Sequence, residues 1–407
     1  MYQDLIPHLF RTEFRRITSV LSKTFGLKHI EEAEDIASEA FVQAFETWSF
    51  KGMPDNPTAW LYAVAKNKAI NYLNRNQIFK KSVAHLKAAG EQISEIDIDL
   101  SEQNITDSQL QMMFAISNPA LAPEAQVGLA LRILCGLGVD EIANALLSTK
   151  EAISKRLYRA RQSLREADIQ IVFPPPGEID KRLETVLTIL YLLFTEGYYS
   201  ESHDVALRED LCWEAIRLTC LLAENKETNQ PAVNALLALM YFQASRFKAR
   251  KGAHGQTILY HDQDDALWDR ELIASGAFYL QKASHGSQLS KYHLEAGIAY
   301  WHTIKPDTEE KWENILQLFN QLLLIEYSPI AALNRTFALA KVKGHQAAIE
   351  EAEKLQLTNN PFYFALLGEL YTNVDNEKAR MHFENALALT RTDRQIIQQK
   401  LDQLAGR

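Results

Sequence analysis

VDEIANALLSTKEAISKRLYRARQSLREA, residues 139–167, is the stretch on which the fold turns. VDEIANALL reads as a short amphipathic helix over 139–147. Ser148 and Glu151 then have S-x-x-E spacing, a capping box that starts a second helix at once. In that helix Ile153, Leu157 and Leu164 face inward and the basic side chains face outward. Helix, tight turn and basic helix together are the grammar of a helix-turn-helix. A helix that enters a DNA major groove needs donors for base edges and flanking cations for phosphates. Lys150, Ser154 and Lys155 sit at the end where such helices reach bases, and Arg156, Arg159 and Arg161 suit backbone contact. A merely solvated face mixes charge signs, whereas here Glu151 alone stands among six cations, the sixth being Arg165.

Working upstream, Pro123 suits a helix start, Leu129, Ile133 and Leu134 share a face, and Gly136 and Gly138 bracket a break. Residues 82–149 hold only Lys87 and Arg132 against nine acids. Within them, 82–107 loses periodicity and reads as an acidic linker with room for a short helix. Before it, Asn56 is a good N-cap and Pro57 a good first residue for a helix to about Arg75. That helix mixes Trp60, Tyr62 and Tyr72 with Lys66, Asn67, Lys68, Asn71, Asn74 and Arg75. Aromatic faces stack on unpaired bases, amides read base edges and cations hold the backbone. Trp60 reads equally well as core. In residues 31–48, Ile36, Ala37, Ala40, Phe41, Ala44, Phe45 and Trp48 make an apolar stripe, with Asp35, Glu39 and Gln43 as a polar ridge beside it.

The net charge of −9 over 407 residues argues against nucleic acid only until it is divided. Residues 1–165 carry 19 basic and 19 acidic groups, so the whole imbalance lies beyond them. Phosphate binding depends on local charge, and here two basic helices are separated by an acidic stretch. With 47% hydrophobic and 23% charged residues the composition is that of a globular chain. Three cysteines (Cys135, Cys212, Cys220) make no C-x-x-C pair, which fits a reducing cytoplasm. No signal-peptide pattern and no apolar run of membrane length is expected.

Pro174, Pro175 and Pro176 read as a stiff spacer and a domain boundary. Beyond them the pattern is helical to the end. Phe364, Leu367, Gly368, Tyr371, Ala379, Phe383 and Ala386 nearly fit a tetratricopeptide pattern, with earlier repeats blurred. No catalytic motif is present. His254, His261, His285, His293 and His302 have no metal-ligand spacing. The expectation is a non-enzyme with no metal and no cofactor.

Together these parts resemble a known family. AEDIASEAFVQAFETW (33–48) and NPTAWLYAVAKNKAINYLNR (56–75) are similar to the core-polymerase and promoter −10 regions of bacterial extracytoplasmic-function sigma factors. APEAQVGLALRILCGLGVDEIANALLSTKEAISKRLYRARQSLRE (122–166) resembles their region four, which binds the −35 element. PPPGEIDKRLETVLTILYLLFTEGYYS, DLCWEAIRL and DQDDALWDRELI resemble the tetratricopeptide-like extension of one subgroup. That subgroup reads F-T-C-C-H-P-A where this chain has Phe114-Ala115-Ile116-Ser117-Asn118-Pro119-Ala120, so the resemblance gives that segment no metal or redox role.

The resemblance implies an all-α fold: region 2 over 1–81, an acidic linker over 82–107, a helix-turn-helix region 4 over 108–170, a Pro-rich hinge at 171–178 and an extension over 179–407. It implies that Asp35, Glu39, Phe41, Gln43 and Phe45 dock RNA polymerase core, although Phe41 and Phe45 also suit a core position. Asn56, Trp60, Lys66, Asn67, Lys68, Asn71 and Arg75 would hold the −10 strand, with the 51–56 loop helping to trap a flipped base. Lys150, Ser154, Lys155, Arg156, Arg159 and Arg161 would read the −35 duplex. The implied partners are bacterial RNA polymerase core, promoter DNA and an intramolecular or protein partner for the extension, with no membrane. Two other readings stay open: a helix-turn-helix regulator that never joins polymerase, and a tetratricopeptide-type adaptor.

Overall fold

The computed structural model describes residues 2–75, 98–146, 148–167, 169–199, 208–252, 258–286, 288–390 and 394–405. Lys80, Lys81, Lys87, His254 and most of the expected acidic linker lie outside the described residues. Among the described residues there are nineteen α-helices and no β-strand, so the fold is all-α. They form two compact units, one of Met1–Gly197 with Trp213–Thr228 and one of Tyr198–Cys212 with Asn229–Arg407.

The first unit begins with α1 (Tyr2–Phe25), α2 (Ile30–Lys51) and α3 (Pro57–Arg75). Ala33, Ala37, Ala40 and Ala44 form a small-residue column on α2, and Leu61, Ala65, Ala69 and Leu73 form its counterpart on α3. Small side chains at helical spacing let the two backbones come close, while Ile17, Val20, Leu21 and Phe25 of α1 fill the remaining core. The Asn56 side chain accepts the Ala59 N–H at 2.9 Å, capping α3 as its sequence requires.

The later part of the acidic stretch is folded. Ser101 caps α4 (Glu102–Ile116), and Ile98, Leu100 and Ile105 join the core of the first three helices. The apolar side chains among the acids, which the charge pattern hides, are what hold this segment down.

Next come α5 (Pro123–Ile133), α6 (Val139–Ala145) and α7 (Lys150–Ala167), the expected helix-turn-helix. Its cap differs from expectation. The Thr149 hydroxyl, not Ser148, accepts the Ala152 N–H at 3.2 Å, while the Ser148 N–H bonds back to Ala143 O and closes the turn after α6. Gly136 adopts φ +64°, the left-handed turn that lets the chain reverse between α5 and α6.

The proline segment is not a free spacer. Pro174 is buried, Ile169 and Ile171 are core residues, and the Phe173 ring meets Phe114 edge-on at 5.1 Å. Pro176 opens α8 (Pro176–Tyr199) in the position where a missing N–H costs nothing. The compact units therefore divide later than at the prolines. The first unit also takes Trp213–Thr228, including most of α9 (Glu209–Glu224).

The second unit holds α10 (Pro231–Ala244), α11 (Phe247–Arg250), α12 (Arg270–Ala283), α13 (Lys291–Trp301), α14 (Glu309–Ile325), α15 (Pro329–Lys343), α16 (His345–Leu355), α17 (Pro361–Tyr371), α18 (Asn376–Leu389) and α19 (Arg394–Ala405). Side-chain caps punctuate it: Asp269, Thr308, Ser328, Asn360 and Asp375 each accept a first-turn N–H. Leu367, Tyr371, Ala379, Phe383 and Ala386 of the near-tetratricopeptide stretch are buried together. A Cβ on Gly368 would stand 2.7 Å from the Phe383 ring, and one on Gly276 would meet the Phe242 ring at the same distance. Glycine against phenylalanine is thus a recurring contact that the blurred repeats concealed.

Candidate DNA and polymerase interface

The α2 residues expected to dock polymerase do not all reach the surface. Asp35, Glu39 and Gln43 are exposed, and Phe45 is 60% exposed. Phe41 is 5% exposed and sits in the core, with its ring edge-on to Phe10 at 5.0 Å. It shapes this surface from beneath and presents no face to a partner. Val42, Glu46 and Phe50 belong to the exposed face and were missed; Phe50 is 92% exposed. Following i, i+4, i+7, i+11 from Asp35 through Glu39, Val42 and Glu46 finds this face, whereas the i, i+8 step to Gln43 drifts to its margin.

On α3, Asn67, Asn71 and Arg75 are exposed at i, i+4, i+8 and form one polar row. Lys66 is half-buried. Lys68 Nζ donates to Glu39 Oε2 at 2.8 Å, tying the expected −10 row to the expected polymerase ridge. Trp60 is half-buried and packs edge-on against Trp48 at 5.4 Å, as a core residue does. Between α2 and α3 the short loop exposes Lys51, Gly52, Met53, Asp55 and Asn56. Tyr62, whose hydroxyl donates to Glu13, anchors α3 to α1.

On α7, Ile153, Leu157, Ala160 and Leu164 are buried, which turns Ser154, Lys155, Tyr158 and Arg159 outward. Tyr158 is a second exposed aromatic the sequence reading passed over. Lys150 Nζ pairs with Asp140 Oδ2 at 2.9 Å. Lys155, Arg156 and Arg159 line a concave trough of about 420 Å³ whose other walls include Ala122, Ala125 and Ala152. Small side chains beneath three cations leave room for a phosphate-bearing chain.

Arg161 is committed elsewhere. Its Nη1 lies 3.0 Å from Glu31 Oε1 and its Nη2 3.0 Å from Glu34 Oε2, both on the first turns of α2. Arg165 also pairs with Glu31, and Arg132 Nε approaches Glu34 Oε1 at 3.7 Å. Burial pushes the Glu34 carboxyl above the usual carboxylate range, against the pull of Arg132 and Arg161. Three arginines of the helix-turn-helix thus clasp two glutamates of the N-terminal helices.

A second junction in the same unit centres on Arg15 of α1. Its Nη1 pairs with Glu214 Oε1 of α9 at 2.9 Å, with both side chains largely buried. Arg217 donates to Glu214 and, at 3.0 Å, to Gln109 Oε1 of α4. A Cβ on Gly136 would stand 2.8 Å from Arg15 Nε, so the α5–α6 turn closes over the same guanidinium. Nearby Cys135 is buried, which pushes its thiol up to about 12 and leaves it unreactive. Among the described residues no cluster of three His, Cys, Asp or Glu could hold a metal ion, and no helix is long and apolar enough to cross a membrane.

Residues 9–78 match the family model described as Sigma-70 region 2, and residues 182–284 match a family of unknown function (DUF6596). An uncharacterized protein of Rhizobium meliloti, R00370, is 33% identical over 387 residues, covering 93% of this chain and 91% of that one. The RNA polymerase sigma factor YlaC of Bacillus subtilis is 26% identical over 166 residues, which is 40% of this chain and 92% of YlaC. The ECF RNA polymerase sigma-E factor of Haemophilus influenzae is 27% identical over 137 residues, 32% of this chain and 71% of its own. No solved structure gives a significant match. A helical promoter-recognition module followed by a long helical extension is the class these features define. The chain belongs to the sigma-70 family, among the extracytoplasmic-function sigma factors with a long C-terminal extension, and acts in transcription initiation.

Proposed function

We propose that the outer face of α2 docks polymerase core, that the Asn67–Asn71–Arg75 row holds the melted −10 strand, and that the outward face of α7 reads the −35 duplex. The exposed row and the basic trough support these assignments. On this reading the protein works in the cytoplasm as a non-enzymatic partner of core polymerase and promoter DNA.

In the free chain we propose a closed resting form. The observation that carries this is the clasp of Arg132, Arg161 and Arg165 on Glu31 and Glu34. Two grips about two helical turns apart on DNA need a separation of roughly 70 Å. The helices of the N-terminal region are only about 30 Å long at 1.5 Å per residue, so a helix clasped to their edge falls well short. Engaging both elements at once requires the clasp to open.

The extension, on this proposal, governs that opening. The Arg15–Glu214 pair supports it, because α9 supplies a carboxylate to a junction shared by α1 and the α5–α6 turn. Run-off transcription with core polymerase on the protein's own upstream region tests the whole reading. Added protein is expected to give a defined transcript, and charge reversal at Asp35 and Glu39 is expected to abolish it. Initiation that proceeds equally without the protein would end the proposal.

A further inference from the structure

We propose that the second unit carries a binding site for a small phosphate-type oxyanion, built around Tyr260 from Arg246, Lys305, Lys311 and Trp268. Three cationic centres surround one ring: Lys311 Nζ lies 5.0 Å from the Tyr260 centroid, Arg246 Cζ 5.4 Å and Lys305 Nζ 5.5 Å. No carboxylate among the described residues forms an ion pair with any of the three. The nearby acids are engaged elsewhere. Asp264 and Asp269 cap helices, Asp265 faces Arg270, and Asp307 takes Lys341 and the Trp312 N–H. Lys311 is fully buried. Asp307 acts on Lys311 through its charge without a direct ion pair, so the three cations around this partly buried ring are only partly compensated, and a further anion would lower their cost.

Donor accounting points the same way. Lys305 spends all three N–H groups on the carbonyls of Tyr260, His261 and Gln263, so it contributes charge alone. Lys311 donates to Tyr260 Oη at 2.9 Å and Ile304 O at 2.6 Å, which leaves one N–H. Arg246 Nε and Trp268 Nε1 are buried without an acceptor. Three residues around the Tyr260 ring thus each have a donor without a protein acceptor. Gln263 Oε1 and His302 Nδ1 are also buried without a partner, but neither bonds these donors, so the donors call for an acceptor from outside. Oxygens of one tetrahedral oxyanion meet that demand, with arginine and lysine supplying the charge. Burial pushes the Tyr260 phenol up to about 12, so the ring bears no competing negative charge at neutral pH. Arg246, Tyr260 and Lys305 are only half-buried, which leaves the cluster reachable from solvent.

Titration calorimetry on the full chain with inorganic phosphate, at constant ionic strength set by chloride, tests this. A parallel arm with a phosphate monoester such as glycerol phosphate separates a free-phosphate site from one that takes a phosphorylated metabolite. One saturable site is expected, with affinity falling about tenfold in Lys311→Met, the loss of one charge-assisted contact. Trp268→Phe, which keeps an aromatic ring but removes the indole N–H together with its five-membered ring, is expected to weaken binding several-fold. Heats that grow linearly without saturation, or equal affinity in wild type and both variants, would overturn the proposal.

Discussion

The chain gathers cations in two places and treats them oppositely. On the helix-turn-helix, Arg132, Arg161 and Arg165 face Glu31 and Glu34 at ion-pair distance. In the extension, Arg246, Lys305 and Lys311 face a tyrosine, tryptophans and backbone carbonyls. The first cluster sets three arginines on two glutamates, so most of its charge is paired within the fold and is released only when the partners separate. The second keeps its charge unpaired within the fold. A paired cluster behaves as a latch, and an unpaired one behaves as a receptor.

The largest difference is expected from Arg161→Glu. It removes two bonds and strands Glu34 beside a like charge, destabilising the clasp by about 3 kcal/mol, the range for charged hydrogen bonds. Hydrogen exchange across α7 is expected to accelerate, and adding Glu34→Arg is expected to restore protection only in part, because position 161 then faces Glu31 with a like charge and position 34 faces Arg132 with one. Acidification acts on the other cluster. Burial, with Arg246 and Lys311 adding to it and Asp307 opposing, pushes His302 down to about 3. A histidine whose folded value lies below its unfolded one contributes fully above pH 6.5, and that contribution is lost as pH falls toward 3. The extension is expected to lose ~1.4 kcal/mol per pH unit below 6.5, read as unfolding around Tyr260 at pH 5. His302→Gln is expected to flatten that slope.

Smaller still is Lys311→Met. The Ile304 carbonyl keeps its bond from Tyr260 Oη, so no acceptor is orphaned. Removing an unpaired buried charge is expected to be neutral or stabilising by about 1 kcal/mol in thermal melts without added anion. The analogous Arg161→Met is expected to destabilise. Equal signs for the two would erase the contrast. The smallest effect is expected from salt: the half-exposed Arg165–Glu31 pair is screened at high ionic strength and contributes less than about 1 kcal/mol.

The sequence makes the helices legible because their periodicity and caps are local. Asn56 with Pro57, and the Ile153, Leu157 and Leu164 stripe, point directly to α3 and α7. What stays hidden depends on distant partners. Phe41 and Phe45 lie on the same nominal stripe, yet α1 packs over the former and leaves the latter exposed. Arg161 looks like its neighbours Arg156 and Arg159 until Glu31 and Glu34, some 130 positions earlier, come beside it. The proline segment reads as a spacer because proline reports backbone stiffness; its burial comes from Ile169, Ile171 and Phe173 finding Phe114. The cluster around Tyr260 could not be foreseen, since its members are spread from Arg246 to Lys311 with no common spacing.

The most direct measurement is the distance between labels on Asn74 of α3 and Gln162 of α7, both exposed, in the free chain and in complex with core polymerase and promoter DNA. The clasp requires a short separation in the free chain, within roughly the 30 Å of the N-terminal helices. It requires a shift toward roughly 70 Å in the complex, and Arg161→Glu should lengthen the free-state distance without polymerase. A free chain already extended, or an initiating complex in which the short distance persists, would contradict the closed resting form.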